Sequence, residues 1–187
     1  MERKDYREAM IKENDIMQAG QNCRISLFKF FSMIVISQER LISKSEINAI
    51  LMPLIKKGLT VTFADDKYKV VDIGFWKKLR EASWFHQGVG GLDYQLDFSD
   101  CDNYAELATS MVSMFKKVNT LGRGSGYLTY KGEATPHAYD IVLAIDIDGK
   151  IKPFLYDTEF KTEVVGMDNI IKDYGNCSWA TNSVRFS

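Results

Sequence analysis

Two apolar runs, 137–147 and 150–156, meet at Asp148-Gly149. Asp-Gly between apolar stretches is the strongest short hairpin signal a sequence offers, because its tight turn needs left-handed backbone that these residues accept. This antiparallel pair constrains the fold, because the chain before it follows a different period. Ser43 or Ser45 caps a helix that runs through Lys57, with Ile47, Ile50, Leu51, Leu54 and Ile55 on one face. Pro53 should kink or shorten it, and Gly58 should stop it. From Cys101 to Val118, Tyr104, Leu107, Ala108, Met111 and Phe115 recur at helical steps. Between these helices, 59–63 and 68–71 flank Ala64–Lys67 and read as a hairpin, and Asp72 caps a helix from Ile73 to Trp84. Gly122, Gly124 and Gly126 read as a flexible turn before a short strand, 127–130. Pro153 places its strand at a sheet edge or a bulge.

Helices first, then a helix that opens on a cysteine, then antiparallel strands: this order predicts an α+β fold with segregated layers. Residues 1–58 read as a helical N-terminal portion, with a polar helix over 6–19 and an apolar one over 25–37. Residues 59–187 read as the main domain.

Composition narrows the function. A chain of 187 residues buries roughly 70% of its unfolded surface, so it needs no disulfide or metal staple. A net charge of −1 gives no basic field for nucleic acid. Lys56-Lys57 and the group Lys77, Lys78 and Arg80 read as solvated helix faces. The most apolar run, 27–36, is interrupted by Lys29 and is too short to span a membrane. The charged start, Met1 to Asp5, lacks the apolar core of a signal peptide. Cys23, Cys101 and Cys177 are odd in number and unpaired in spacing, against a disulfide framework or a cysteine-based zinc site. A reducing compartment is expected, where a free thiol persists.

The chemistry concentrates in Cys101, His137 and Asp157. A cysteine reacts as thiolate, which the unpaired N–H groups of a helix start favour. The base must lie near the thiol, and a third group must orient the base. Cys101 opens a helix, His137 opens a strand and Asp157 closes the next strand. Asp100 and Asp102 oppose activation, since negative charge beside a thiol disfavours its anion. The bland reading is that a lone buried cysteine or strand histidine serves packing. The agreement of order, spacing and element type favours chemistry.

Cys101-Asp102-Asn103-Tyr104-Ala105, then His137-Ala138-Tyr139-Asp140, then Tyr156-Asp157-Thr158 resembles papain-like and transglutaminase-like cysteine peptidases. It is similar to phage-encoded lectin-like proteins related to the protease domain of the fairy-ring mushroom agglutinin, which read Cys-Asp-Asp-Phe-Ala, His-Ala-Leu-Asn and Glu-Pro-Gln. The resemblance covers roughly residues 60 to 165. It implies a papain-like fold, a nucleophile helix on an antiparallel sheet, and cleavage of an amide bond by Cys101, His137 and Asp157. Protein, peptide or peptidoglycan stem peptide is the implied substrate. This chain departs in having Asp157 for Glu, no following Pro-Gln and a longer hairpin.

Register decides whether the acid reaches the histidine. A two-residue turn at Asp148-Gly149 would set 137 opposite 160 and put Asp157 on the wrong face; a three-residue loop or a bulge would restore it. Glu159 is the fallback. No cofactor is expected; the alternative is calcium at Asp97, Asp100 and Asp102, which the mushroom relative suggests. Gly175-Asn176-Cys177-Ser178-Trp179-Ala180 echoes a papain motif, but no histidine follows it. The Gly122–Gly126 run lacks the Gly-Lys-Ser/Thr of a phosphate loop. The competing function is a phage or prophage accessory or virion protein that keeps the fold and binds without cleaving, docking through its N-terminal helices. Cytoplasm and virion are the two expected locations.

Overall fold

The computed structural model describes residues 31–81, 101–157, 164–174 and 176–186. The chain divides into two compact units, residues 1–35 and 36–187. The expected helix over 6–19 and residues 25–30 of the one over 25–37 lie outside the described residues; 31–33 are helical and 34–37 are not. The second unit is α+β, with helices α1 (Lys44–Ile55), α2 (Ile73–Glu81) and α3 (Cys101–Lys116). Its strands are β1 (Glu39–Ser43), β2 (Thr60–Phe63), β3 (Lys67–Asp72), β4 (Leu121–Tyr130), β5 (Glu133–Ile145), β6 (Ile151–Tyr156), β7 (Val165–Gly166), β8 (Ile171–Tyr174) and β9 (Cys177–Phe186).

Local chemistry explains the helices. The Ser43 hydroxyl accepts from Glu46 N–H while Glu46 accepts from Ser43 N–H, a capping box that starts α1. Pro53 is tolerated inside α1, and Gly58, at φ 107°, ends it with its N–H donating to the Ile55 carbonyl. Asp72 Oδ1 accepts from Phe75 N–H and starts α2.

One sheet holds all nine described strands, in the order β1-β3-β5-β4-β9-β2, with β6 and β7 following from β5 and β8 from β9. The expected hairpin over 59–71 is corrected: both strands form, but β2 pairs in parallel with β9 and β3 pairs with β1 and β5. Ala64–Asp66 turns the chain without joining its neighbours. Ala64 N–H donates to the Phe186 carbonyl, and Lys44 N–H donates to Asp66. Polar turn residues mark where a chain reverses, not which strands meet.

The glycine run is also corrected. Gly122, Gly124 and Gly126 lie within the ten-residue strand β4. A Cβ at Gly126 would overlap the Ala180 carbonyl, and one at Gly122 would strike Phe186. These glycines permit close approach in a strand.

β5 lies between two helical layers. Tyr139, Ile141, Leu143 and Ile145 join Ile47, Leu51 and Leu54 of α1 in one core cluster. The alternate residues, Ala138, Asp140, Val142 and Ala144, are buried on the opposite face. That face meets α3 through Thr109 and α2 through Trp76, whose ring meets Tyr156 at 5.9 Å. Arg80, expected on a solvated face, is buried on α2.

Candidate functional site

The β5/β6 hairpin sets the register. Ile145 pairs with Ile151, Asp146 N–H donates to the Lys150 carbonyl, and Ile147, Asp148 and Gly149 make the loop. Gly149 takes φ 76°, the left-handed residue that ends a three-residue hairpin loop. Asp140 therefore stands opposite Tyr156, and one step further Asp157 falls on the face of Tyr139 and His137.

The structure brings Cys101, His137 and Asp157 together. His137 Nε2 lies 2.9 Å from Asp157 Oδ2. The side chains of both are almost wholly buried. The Cys101 side chain also acts on the ring. β6 ends opposite Asp140, so the start of α3 can approach β5 beyond it. Ala138 N–H donates to Cys101 Sγ across 3.4 Å. Cys101 is the first residue of α3, where backbone N–H groups have no partner inside the helix.

His137 feels opposed influences. Burial, the largest, lowers its pKa. Hydrogen bonds to Asp157 and Cys101, with the charges of both, outweigh burial and raise it to about 10. The balance favours the protonated ring, set between Asp157 and the Cys101 side chain.

One residue escaped the sequence reading. Trp179 Nε1 donates to the same Asp157 oxygen at 2.9 Å, and Trp179 is fully buried. A buried indole N–H seeks an acceptor, and that was the available signal. The Gly175–Ala180 segment thus supplies an orienting tryptophan on β9; its Cys177 is partly exposed and reduced. Tyr139 lies beside His137, with ring centres 5.8 Å apart, and its hydroxyl donates to Thr181 Oγ1 at 2.6 Å. Cross-strand pairing puts His137, Gly126 and Thr181 in one row, so β4 and β9 back the histidine.

Glu159, Asp97 and Asp100 lie outside the described residues. Among the described residues no group of three His, Cys, Asp or Glu side chains could hold a metal ion. No helix among them is long and apolar enough to cross a membrane.

No family model and no curated protein matches the chain. Its fold is similar to the solved structure of the PSL1a-E64 complex, with a TM-score of 0.50 and 15% identity over 78% of this chain. The match spans 50% of that other chain. At this identity the likeness concerns fold alone.

Proposed function

We propose that the chain is a papain-like thiol hydrolase that cleaves an amide bond in a protein or peptide. The supporting observation is His137, bonded to buried Asp157 through Nε2 while the Cys101 side chain, at a helix start, acts on the same ring. A thiolate–imidazolium pair is the resting form of such a nucleophile.

In the proposed reaction Cys101 Sγ attacks the carbonyl carbon, and the carbonyl electrons move to oxygen. Cys101 backbone N–H, which has no partner within α3, is one donor for that oxyanion. Collapse breaks the C–N bond, and His137 gives its proton to the departing amine. The neutral ring then takes a proton from water, which attacks the thioester. The C–S bond then breaks, and release of the acid restores the thiolate–imidazolium pair. Asp157 keeps Nε2–H directed at itself and balances the ring charge, and Trp179 fixes Asp157.

The test is alkylation of Cys101 by iodoacetamide across pH, read by peptide mass spectrometry, with His137→Ala as control. The expected result is reaction well below pH ~8, the free-thiol range, that disappears in the control. E64, named with PSL1a in the complex of similar fold, is the second probe and should attach at Cys101. An inert Cys101 in both assays overturns the hydrolase reading and favours the binding protein.

A further inference from the structure

The α3 side of β5 carries a buried polar cluster that this reaction does not use. Asp140 is fully buried. Among the described residues, Asp140 Oδ2, Tyr156 Oη and Trp76 Nε1 have no hydrogen-bond partner. Tyr156 stands across from Asp140 in the β5/β6 register. The Thr109 hydroxyl has two acceptors within donating reach, the Ala105 carbonyl at 3.0 Å and Asp140 Oδ1 at 3.2 Å. A threonine hydroxyl holds one proton, and a carbonyl oxygen only accepts. With that proton given to Ala105 over the shorter contact, the Asp140–Thr109 contact needs another. The carboxyl is the group that can supply it.

The surroundings agree. Burial is the largest influence and raises the Asp140 pKa well above the usual carboxylate range; a Thr109 hydroxyl donated to the carboxylate would oppose it. Asp157 and Glu106 add like charge, and Arg123 pulls the other way. Arg123 is the cross-strand neighbour of Asp140, yet its Nη1 lies 3.2 Å from Glu106 Oε2. From β6, Tyr156 presents a hydroxyl whose own pKa burial pushes up.

We propose that Asp140 stands as a neutral acid that donates to Thr109 and so pins the helix beginning at Cys101 to the strand carrying His137. It is a positioning residue for the thiol–imidazole pair, and its role rests on the reading of that pair given above. Thr109 lies about two turns along α3 from Cys101. A shift at this bond therefore moves the thiol relative to the ring. Ionisation at alkaline pH removes the donor and sets a second carboxylate near Asp157.

The experiment compares wild type, Asp140→Asn and Asp140→Ala by infrared spectroscopy and by the pH profile of Cys101 alkylation. The wild-type minus Asp140→Asn difference spectrum at pH 7 should contain a protonated carboxyl band. Asparagine places an N–H donor where the acid proton sits, so Asp140→Asn should alkylate within about twofold of wild type at neutral pH. It should also hold its rate at alkaline pH where wild type declines. Asp140→Ala should be roughly ten- to hundredfold slower, because it frees the helix start. An ionised carboxylate band at pH 7 overturns the proposal, as does Asp140→Asn reacting as slowly as Asp140→Ala. A wild-type Cys101 that never reacts overturns the thiol reading and the positioning role with it. The infrared band then decides the neutral acid independently.

Discussion

The two faces of β5 solve opposite problems. On the α1 face, polar groups are few and paired: His137 with Asp157, and Tyr139 with Thr181, both set in an aromatic and aliphatic core. On the α3 face, a carboxyl, a phenol and an indole are buried with atoms that no described residue partners, near the buried Arg80 of α2. The first face supports an ionised pair because each charge has an immediate opposite. The second favours neutral forms, since an isolated buried charge costs far more than a proton held against pH. Adjacent residues of a single strand, Tyr139 and Asp140, thus sit in different electrostatic worlds.

The largest break in this contrast should come from moving the acid between faces. Deleting Ile147 shortens the loop, shifts register by one residue and turns Asp157 from His137. Cys101 alkylation at pH 7 should fall to the His137→Ala level; full reactivity in the deletion variant would show that Asp157 is not needed. Gly126→Ala comes next, because its methyl would meet the Ala180 carbonyl beside the His137 row. A loss of about 3 kcal/mol is expected by denaturant titration.

Trp179→Phe keeps an aromatic ring and removes a donor to Asp157 Oδ2. It should cost about 2 kcal/mol, the range for a hydrogen bond to a charged group, with a loss of thiol reactivity that exceeds the change in stability. A variant as reactive as wild type would restrict Trp179 to packing.

The pH dependence of stability sharpens the comparison. The His137 pKa of about 10 lies above its ordinary 6.5, so the folded state binds the extra proton. This stabilisation is complete below pH 6.5 and is lost as pH rises through about 10. Chemical denaturation across that window should show stability falling in wild type and a flatter profile in His137→Ala. Equal slopes would remove the imidazolium from the account. The smallest effect belongs to Gly149→Ala, about 1 kcal/mol for a left-handed residue in an open loop.

What could be read in the sequence divides along physical lines. The capping of α1 by Ser43 and Glu46, the start of α2 at Asp72 and the period of α3 depend on residues within a turn or two of one another. The hairpin at Asp148-Gly149 was legible for the same reason, although its loop length was not. Gly149 belongs to three-residue as well as two-residue turns, and only packing selects between them. The partner of β2 was hidden because β9 lies far along the chain. The glycines of β4 resemble a loop until their neighbours on β9 and β5 are known. For the candidate site, the sequence pointed to Cys101, His137 and Asp157, but the Trp179 contact and the Asp140–Thr109 contact exist only once strands and helices are assembled.

The parallel pairing of β2 with β9 carries a consequence in time. Thr60 meets Ser183, so this seam closes only after most of the chain has been made. Trp179 arrives on the same strand that closes it. During synthesis Cys101, His137 and Asp157 all leave the ribosome before the strand that completes their setting. The setting of these three side chains should therefore mature with the sheet, so that a nascent chain carries the residues well before their arrangement.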